Sequence, residues 1–291
     1  MNNQVELVFW DVQHGLATFI RTPNNRTVEI DMGTGDYSGK NLSFSPLLYL
    51  RRNYALTQID YLVVTHPHLD HIDDILNIDL FSPKVFHRPR QLTNAEVMKD
   101  VRQQDRAKFQ KYCDLNTHYD GDLAGTSNDP GNAENYGGMK MTFFSSPYCP
   151  HDNFNNHSVV TVIEYAEIKI VIPGDNQNGS YEVLMQNQAF KKAVENSHVL
   201  LAPHHGRLSG YNNDFVNLVN PYLSVVSDGK LVDTSANNRY SQKSKGWLVH
   251  KGNGTSESRK CLSTNSDGEV FVNFGFSDDP NFKNFLQVKI N

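Results

Sequence analysis

The chain has 291 residues, is 38% hydrophobic and carries a formal net charge of -5 at pH 7. That apolar fraction is enough for a real core, and the acidic balance excludes attraction to nucleic acid by bulk charge, so such a role would need a local basic patch. The three cysteines, Cys113, Cys149 and Cys261, are odd in number and far apart; they look like neither a disulfide framework nor a cysteine zinc site and suit a reduced intracellular setting.

In chain order, residues 5–10 (VELVFW) and 16–20 (LATFI) read as strands around the turn Asp11-Val12-Gln13-His14-Gly15, and residues 27–31 as a third strand stopped by Gly33 and Gly35. Phe44, Leu47, Leu48 and Leu50 have helical spacing over 44–56, and 59–64 (IDYLVV) is a short buried strand. A long polar helix is expected near 94–115, capped by Thr93 or Asn94. Residues 116–138, rich in Gly, Asn and Asp, read as a long surface loop or lid. Strands return at 140–144, 158–164 and 168–172, a helix over 180–195, and strands at 198–202 and 222–226. The segment 233–245 reads as irregular, with two short closing strands near 259–264 and 269–274. No repeat or linker divides the sequence, so the expectation is a single domain over 1–291 with a helix-plus-loop insertion at about 90–138. The first residues lack the basic start and apolar run of a signal peptide. No stretch approaches the roughly 18 apolar residues that span a bilayer. The protein is therefore expected to be cytoplasmic, with no membrane contact.

Several apolar runs end in a polar cluster, at Asp11, His66, Asp175, His204 and Asp228. Rigid strands position what loops carry, so five such ends can face one cleft. Residues 65–71 read Thr-His-Pro-His-Leu-Asp-His. In an extended segment alternate side chains point the same way, so His66 and His68 can grip one metal. Asp70 and His71, where the chain turns into a short helix, can reach a second. Imidazole and carboxylate suit zinc, and also manganese or iron. Asp175, in Ile-Pro-Gly-Asp, is a turn residue if read alone; beside the histidine cluster it is a candidate bridging carboxylate. Of the adjacent His204 and His205, one would ligate the second metal and the other face substrate or orient a ligand. His157 is a candidate to complete the first site or an ordinary loop histidine, and His14 stands in the first turn as a candidate to look into the cleft.

These residues resemble a known family. His-Pro-His-Leu-Asp-His matches the metallo-β-lactamase signature, and the wider pattern is similar to the soluble hydrolase domain of the ComEC competence proteins and their stand-alone relatives. The motifs that carry the likeness are Asp11-Val12-Gln13-His14-Gly15-Leu16, Ile30-Asp31-Met32-Gly33, residues 65–71, Asn155-Asn156-His157-Ser158, Gly174-Asp175, His204-His205-Gly206 and Ser227-Asp228-Gly229. The resemblance implies an α+β fold, a four-layer αββα sandwich, with two divalent metal ions, zinc or manganese, at its open edge. It implies His66 and His68 on one metal, Asp70, His71 and one of His204 and His205 on the other, and Asp175 between them. The departures lie elsewhere. The first turn lacks one of its two glycines, has His14 for the usual Gln and Leu16 for the closing Asp, and Asp73-Asp74 replaces a Gly-Gly. No His-Pro follows Asn238-x-Tyr240. A substrate-facing wall that differs from the family is expected, and no counterpart of the channel-forming membrane portion of the competence proteins is expected within these 291 residues.

The function expected is metal-dependent hydrolysis by a di-metal-bridged hydroxide, with Asp70, His204 and His205 as catalytic candidates. A phosphodiester in a nucleic acid or nucleotide is the first substrate class. Its support is the resemblance and the basic residues Lys99, Arg102, Arg106, Lys108 and Lys111, with Arg239, Lys243 and Lys245 later. A phosphocholine-type ester or lactone hydrolase is the second reading. A metal-binding interaction module that has lost catalysis is the third. A protein partner is left open, though no sequence feature points to one.

Overall fold

The computed structural model describes residues 3–36, 43–229 and 237–291. Two large sheets carry the fold. The first runs, edge to edge, through Ser256–Arg259, Trp247–Lys251, Asn284–Ile290, Val270–Phe276, Gln4–Phe9, Ala17–Arg21, Thr27–Met32, Tyr61–Val63 and Phe86–His87. The second runs through Cys261–Ser263, Leu223–Val226, Val199–Leu201, Ile168–Ile172, Val160–Tyr165 and Lys140–Phe144.

Side chains alternate across a strand, and here both faces are apolar. Leu7, Phe9, Val28, Ile30 and Val63 meet Ile163, Ile170, Ile172, Val199 and Leu201 between the sheets. Their neighbours Val8, Trp10, Phe19, Leu62 and Val64 point outward and pack under Leu47, Leu50, Ile72, Ile75 and Tyr112. On the other outer face Val162, Val171 and Leu200 are covered by Tyr181, Phe190, Phe215, Val219 and Tyr240. The result is the expected helix–sheet–sheet–helix order. Near-continuous apolar runs such as IKIVI follow from burial on both faces.

Direction matters for the site. Ile168–Ile172, Val199–Leu201, Leu223–Val226 and Cys261–Ser263 are parallel neighbours, so their C-terminal ends open on one edge. Thr27–Met32 and Tyr61–Val63 are parallel in the other sheet. Asp31, His66, Asp175, His204 and Ser227 therefore leave their strands toward one region, where sites on such sheets gather.

Local structure departs from the sequence reading in several places. The helix expected near 94–115 is two helices, Asn94–Val97 and Arg106–His118. A Thr93–Glu96 capping box starts the first. Asp100, at φ 58°, then turns the chain left-handed and ends the helical path. The 180–195 helix is likewise split into Asn178–Leu184 and Gln188–Val194, because the Asn187 side chain caps the amides of Ala189 and Phe190. In the segment read as irregular, Asn237–Lys243 is a helix, and 233–236 lie outside the described residues. Strands at Trp247–Lys251 and Asn284–Ile290 were not foreseen. The stretch after His118 is no lid: Tyr136 and Met139 are buried in the inter-sheet core, and Arg26 bonds the Ser127 carbonyl at 2.8 Å. These contacts hold it at the Thr22–Arg26 turn, the end of the sandwich away from the His66–His71 loop. Among the described residues no helix is long and apolar enough to cross a membrane.

Candidate metal centre

The His66–His71 loop follows the strand Tyr61–Val63, and His68 is the N-cap of the short helix Leu69–Ile72. His66 and His68 thus come from extended backbone and Asp70 and His71 from a helical turn. The loop is seated by backbone contact. Leu16 N–H donates to the Asp70 carbonyl at 3.2 Å. A Cβ added at Gly15 or Gly33 would lie 2.6 or 2.5 Å from that same oxygen. Both glycines are required by close approach rather than by a turn.

Ligand atoms of Asp70, His71, Asp175 and His205 all lie within 4.8 Å of one another. His71 Nε2 is 3.3 Å from Asp175 Oδ1, and His205 Nε2 is 3.3 Å from both Asp70 Oδ2 and Asp175 Oδ2. Each imidazole is oriented through its other nitrogen: His71 Nδ1 is 2.7 Å from Asp31 Oδ2, and His205 Nδ1 is 3.0 Å from the Ser227 carbonyl. Asp31 is itself fixed by the Thr65 N–H and hydroxyl, each at 2.7 Å. The remaining Nε2 atoms of His71 and His205 are buried without a hydrogen-bond partner. Two buried, unpartnered imidazole nitrogens aimed among carboxylates, each tuned from behind, fit a divalent cation. His66 and His68 adjoin this group. His66 Nε2 is 2.9 Å from His68 Nδ1 and 3.9 Å from Asp175 Oδ2, which puts the Asp175 carboxylate between the two histidine pairs.

Electrostatics agree with that reading. Burial opposes charge on His205, but the carboxylates of Asp175 and Asp70 outweigh it and hold its pKa up at about 9. His71 is also raised: burial disfavours its charged form, but Asp175, Asp31 and Asp70 prevail. Burial works against the Asp175 carboxylate too, yet His205 and His71 keep it well below the usual range. His66, buried and beside His71 and His68, is pushed well down. Cations are favoured on the Asp70–His71–Asp175–His205 side even before any metal is considered.

The adjacent His204 and His205 are placed differently. Both residues adopt left-handed backbone, at φ 49° and 53°, followed by Gly206 at 72°. Such conformations cost of order 1–3 kcal/mol each for a non-glycine residue and collect at functional sites. This turn sends His205 into the cluster and leaves His204 at its margin. His204 Nε2 is 3.9 Å from Asp175 Oδ2 and its Nδ1 lies 2.8 Å from Ser209 Oγ. His157 is not brought to the cluster: its ring lies between Gln91 Nε2 at 3.0 Å and the Pro150 carbonyl at 3.2 Å. His14 does reach the site, with Nε2 3.3 Å from Asp70 Oδ2 and its ring 4.7 Å from that of His205.

Two departures read as substrate wall are structural instead. Asp74 accepts from Ser45 Oγ and from Leu47 N–H at 2.9 Å, which ties the helix Pro46–Asn53 to the metal loop. Asp73 pairs with Lys108 and Thr34. Sequence reading missed the roles of Asp31 and Arg207. Asp31 had a signal, the Ile-Asp-x-Gly motif. Arg207 had none, and its guanidinium lies 3.4 Å from both His204 Nε2 and His14 Nε2. Beside the cluster, His68 lines a cavity of about 570 Å³ with Phe109, Phe154, His151, Lys99 and Arg102.

Comparison with solved structures gives distant likeness. A Thermotoga maritima protein of the metallo-beta-lactamase superfamily is 11% identical with a TM-score of 0.43, over 89% of this chain and 97% of that one. YhfI from Bacillus subtilis, a metallo-beta-lactamase fold protein, is 13% identical with a TM-score of 0.45, over 81% and 91%. CmlA, a diiron β-hydroxylase from Streptomyces venezuelae, is 15% identical with a TM-score of 0.44, over 78% and 45%. Comparison with curated proteins finds no significant match. The family profile described as metallo-beta-lactamase superfamily matches residues 10–226, most of the chain and every residue of the cluster, and the chain belongs to that superfamily.

Proposed function

We propose that the protein is a metal-dependent phosphodiesterase, acting on a small phosphodiester such as a cyclic or linked nucleotide. The observation that carries the reading is the position of the Asp175 carboxylate, 3.3 Å from His71 and His205 and 3.9 Å from His66 and His204. A carboxylate so placed would serve two ions, with His66 and His68 on one and Asp70, His71 and His205 on the other. Bound divalent cations, zinc or manganese, would supply Lewis acidity toward phosphoryl oxygens and make water reactive near neutral pH. The chain's own part is to hold the donors. Asp31 and the Ser227 carbonyl fix the ring tautomers, and His204 stands at the margin, where its Nε2 would face a phosphate oxygen or leaving group once substrate draws Arg207 off that nitrogen.

The motif likeness to the ComEC group supports phosphodiester over lactam chemistry. A small substrate is favoured over a polymer by the charges beside the site. Glu96, Asp100, Asp105 and Asp152 line the cavity next to His68 and outnumber its two basic residues, Lys99 and Arg102, an acidic balance that disfavours a polyanionic backbone. Of the five basic residues on 99–111, Arg102 pairs with Asp105, Lys108 with Asp73 and Lys111 with Asp79, which leaves Lys99 and Arg106 without an ion pair among the described residues. Lys243 bonds Asn217, and Lys245 and Arg239 lie over the rings of Tyr222 and Tyr211.

The test is hydrolysis of bis-p-nitrophenyl phosphate by wild type and Asp175→Ala with Mn²⁺, Zn²⁺ and Mg²⁺, run beside single- and double-stranded DNA and RNA and a neutral lactone. The expected result is metal-dependent cleavage of the diester, lost in Asp175→Ala. Polymer cleavage that weakens steeply with salt would transfer the reading to a nuclease. Turnover of the lactone alone would replace it with the small-ester reading, and no turnover of any substrate by the metal-loaded protein would leave only the binding module.

A further inference from the structure

Arg207 lies two residues beyond His205 and is outside the cluster of metal donors. Its Nη1 is 3.4 Å from His204 Nε2 and its Nη2 is 3.4 Å from His14 Nε2. His14 belongs to the first turn of one sheet and His204 to a strand end of the other, so the guanidinium spans the mouth of the cluster. Asp70 lies just below, 3.3 Å from His14 Nε2.

The guanidinium is poorly served where it stands. Among the described residues no carboxylate lies within ion-pair distance of Arg207. Its Nε is buried without a partner, and its two contacts to imidazole are at the long limit of hydrogen bonding. Arginine is permanently charged and presents five donors in a planar fork. A half-buried fork with so few acceptors, beside a cluster that fits divalent cations, calls for an anion. Fork geometry suits the paired oxygens of a phosphate.

We propose that Arg207, steadied by His14 and His204, is the seat for the non-bridging oxygens of a phosphoryl group held at the Asp70–His71–Asp175–His205 cluster. The substrate class rests on the phosphodiesterase reading; the anion seat rests on Arg207 itself. Arg207 touches substrate and not metal, so it selects anionic substrates without contributing to metal retention. His14 positions it.

The experiment uses the metal-loaded full chain and inorganic phosphate as probe. Phosphate binding is measured by calorimetry on wild type, Arg207→Lys, Arg207→Gln and His14→Asn, with metal content and thermal melting measured in parallel. The loss of charge-assisted hydrogen bonds predicts about tenfold or greater weakening of phosphate binding in Arg207→Gln. Arg207→Lys and His14→Asn should lose less, and metal stoichiometry and melting should stay at wild-type values in all three. Bis-p-nitrophenyl phosphate turnover should lose kcat/KM in the same order. Unchanged phosphate binding in Arg207→Gln overturns the seat, as does loss of metal together with phosphate, or a wild type that binds no phosphate. Metal loss confined to His14→Asn overturns the positioning role of His14 and makes it a ligand. Phosphate binding through Arg207 without diester cleavage removes the phosphodiesterase reading and keeps the seat. Cleavage indifferent to Arg207→Gln does the reverse.

Discussion

Replacing Asp31 by Asn tests whether the cluster is built to hold metal. Asp31 is fully buried, has left-handed backbone at φ 60°, and accepts three contacts: the Thr65 N–H, the Thr65 hydroxyl and His71 Nδ1, each at 2.7 Å. Asparagine keeps the shape and tolerates that backbone, but half of its head is a donor. If its carbonyl stays on the Thr65 amide, its NH₂ group faces His71 Nδ1. The imidazole then accepts there and carries its proton on Nε2, aiming N–H rather than a lone pair at Asp175 and the cluster. Loss of such a supporting partner costs roughly 10–100-fold in metal affinity, or about 1.4–2.7 kcal/mol. The assay is zinc and manganese affinity by competition with a chromophoric chelator, with circular dichroism and melting of the metal-free protein to verify the fold. A folded Asp31→Asn protein that binds metal within twofold of wild type would refute the orientation argument.

The two adjacent histidines should separate: His205→Ala should lower bound metal stoichiometry, whereas His204→Ala should keep it and lose turnover, as read by metal analysis and diester kinetics. Equal metal loss in both would contradict the left-handed turn that divides them. Gly33→Ala places a Cβ 2.5 Å from the Asp70 carbonyl and 3.0 Å from the Leu16 backbone, atoms that cannot swing away. Overpacking of that kind costs about 1–3 kcal/mol, visible as a lower urea midpoint, and an unchanged midpoint would count against the seating of the loop. In the metal-free protein the folded pKa of His205 is raised to about 9. A raised histidine stabilises fully below its unfolded value near 6.5, and the benefit is lost as pH rises through 9, on the order of 3 kcal/mol in all. Chemical denaturation between pH 6 and 10 should show that decline without metal, and metal-loaded protein should not follow it.

What the sequence made legible follows local geometry. His66, His68, Asp70 and His71 lie within six residues of one loop, and their convergence needs only an extended segment entering a helix. Asp175 was legible because a Gly-Asp at the end of a buried strand has little other use beside such a loop. His205 could not be chosen over His204, because the alternation rule fails when both residues are left-handed. His157 stayed open between ligand and loop histidine for a related reason: a histidine at a strand start says nothing of the Gln91 and Pro150 groups that close on its ring. The broken helix at 98–105 turned on Asp100, one residue whose conformation overrides a helical pattern of charges. The strands Trp247–Lys251 and Asn284–Ile290 carry few buried side chains, Val249 in one and Val288 and Ile290 in the other, too sparse an alternation to stand out.

The first turn explains how a chain can depart from a motif at several positions and keep the centre that the motif serves. What the turn supplies to the cluster is backbone: room for the Asp70 carbonyl against Gly15, and the Leu16 N–H that bonds it. Neither depends on the side chain at 16, so Leu16 can be buried in the inter-sheet core without disturbing Asp70. Position 14 is different, because its side chain faces the mouth, and there the histidine meets Arg207 across the gap between the sheets. Substitution at 14 or 207 can therefore change what the rim presents while Asp31, the glycines and the Ser227 carbonyl continue to hold the donors. Metal affinity and substrate choice are then separable properties of this fold: a variant set in which every loss of phosphate binding brought an equal loss of metal would show that no such division exists.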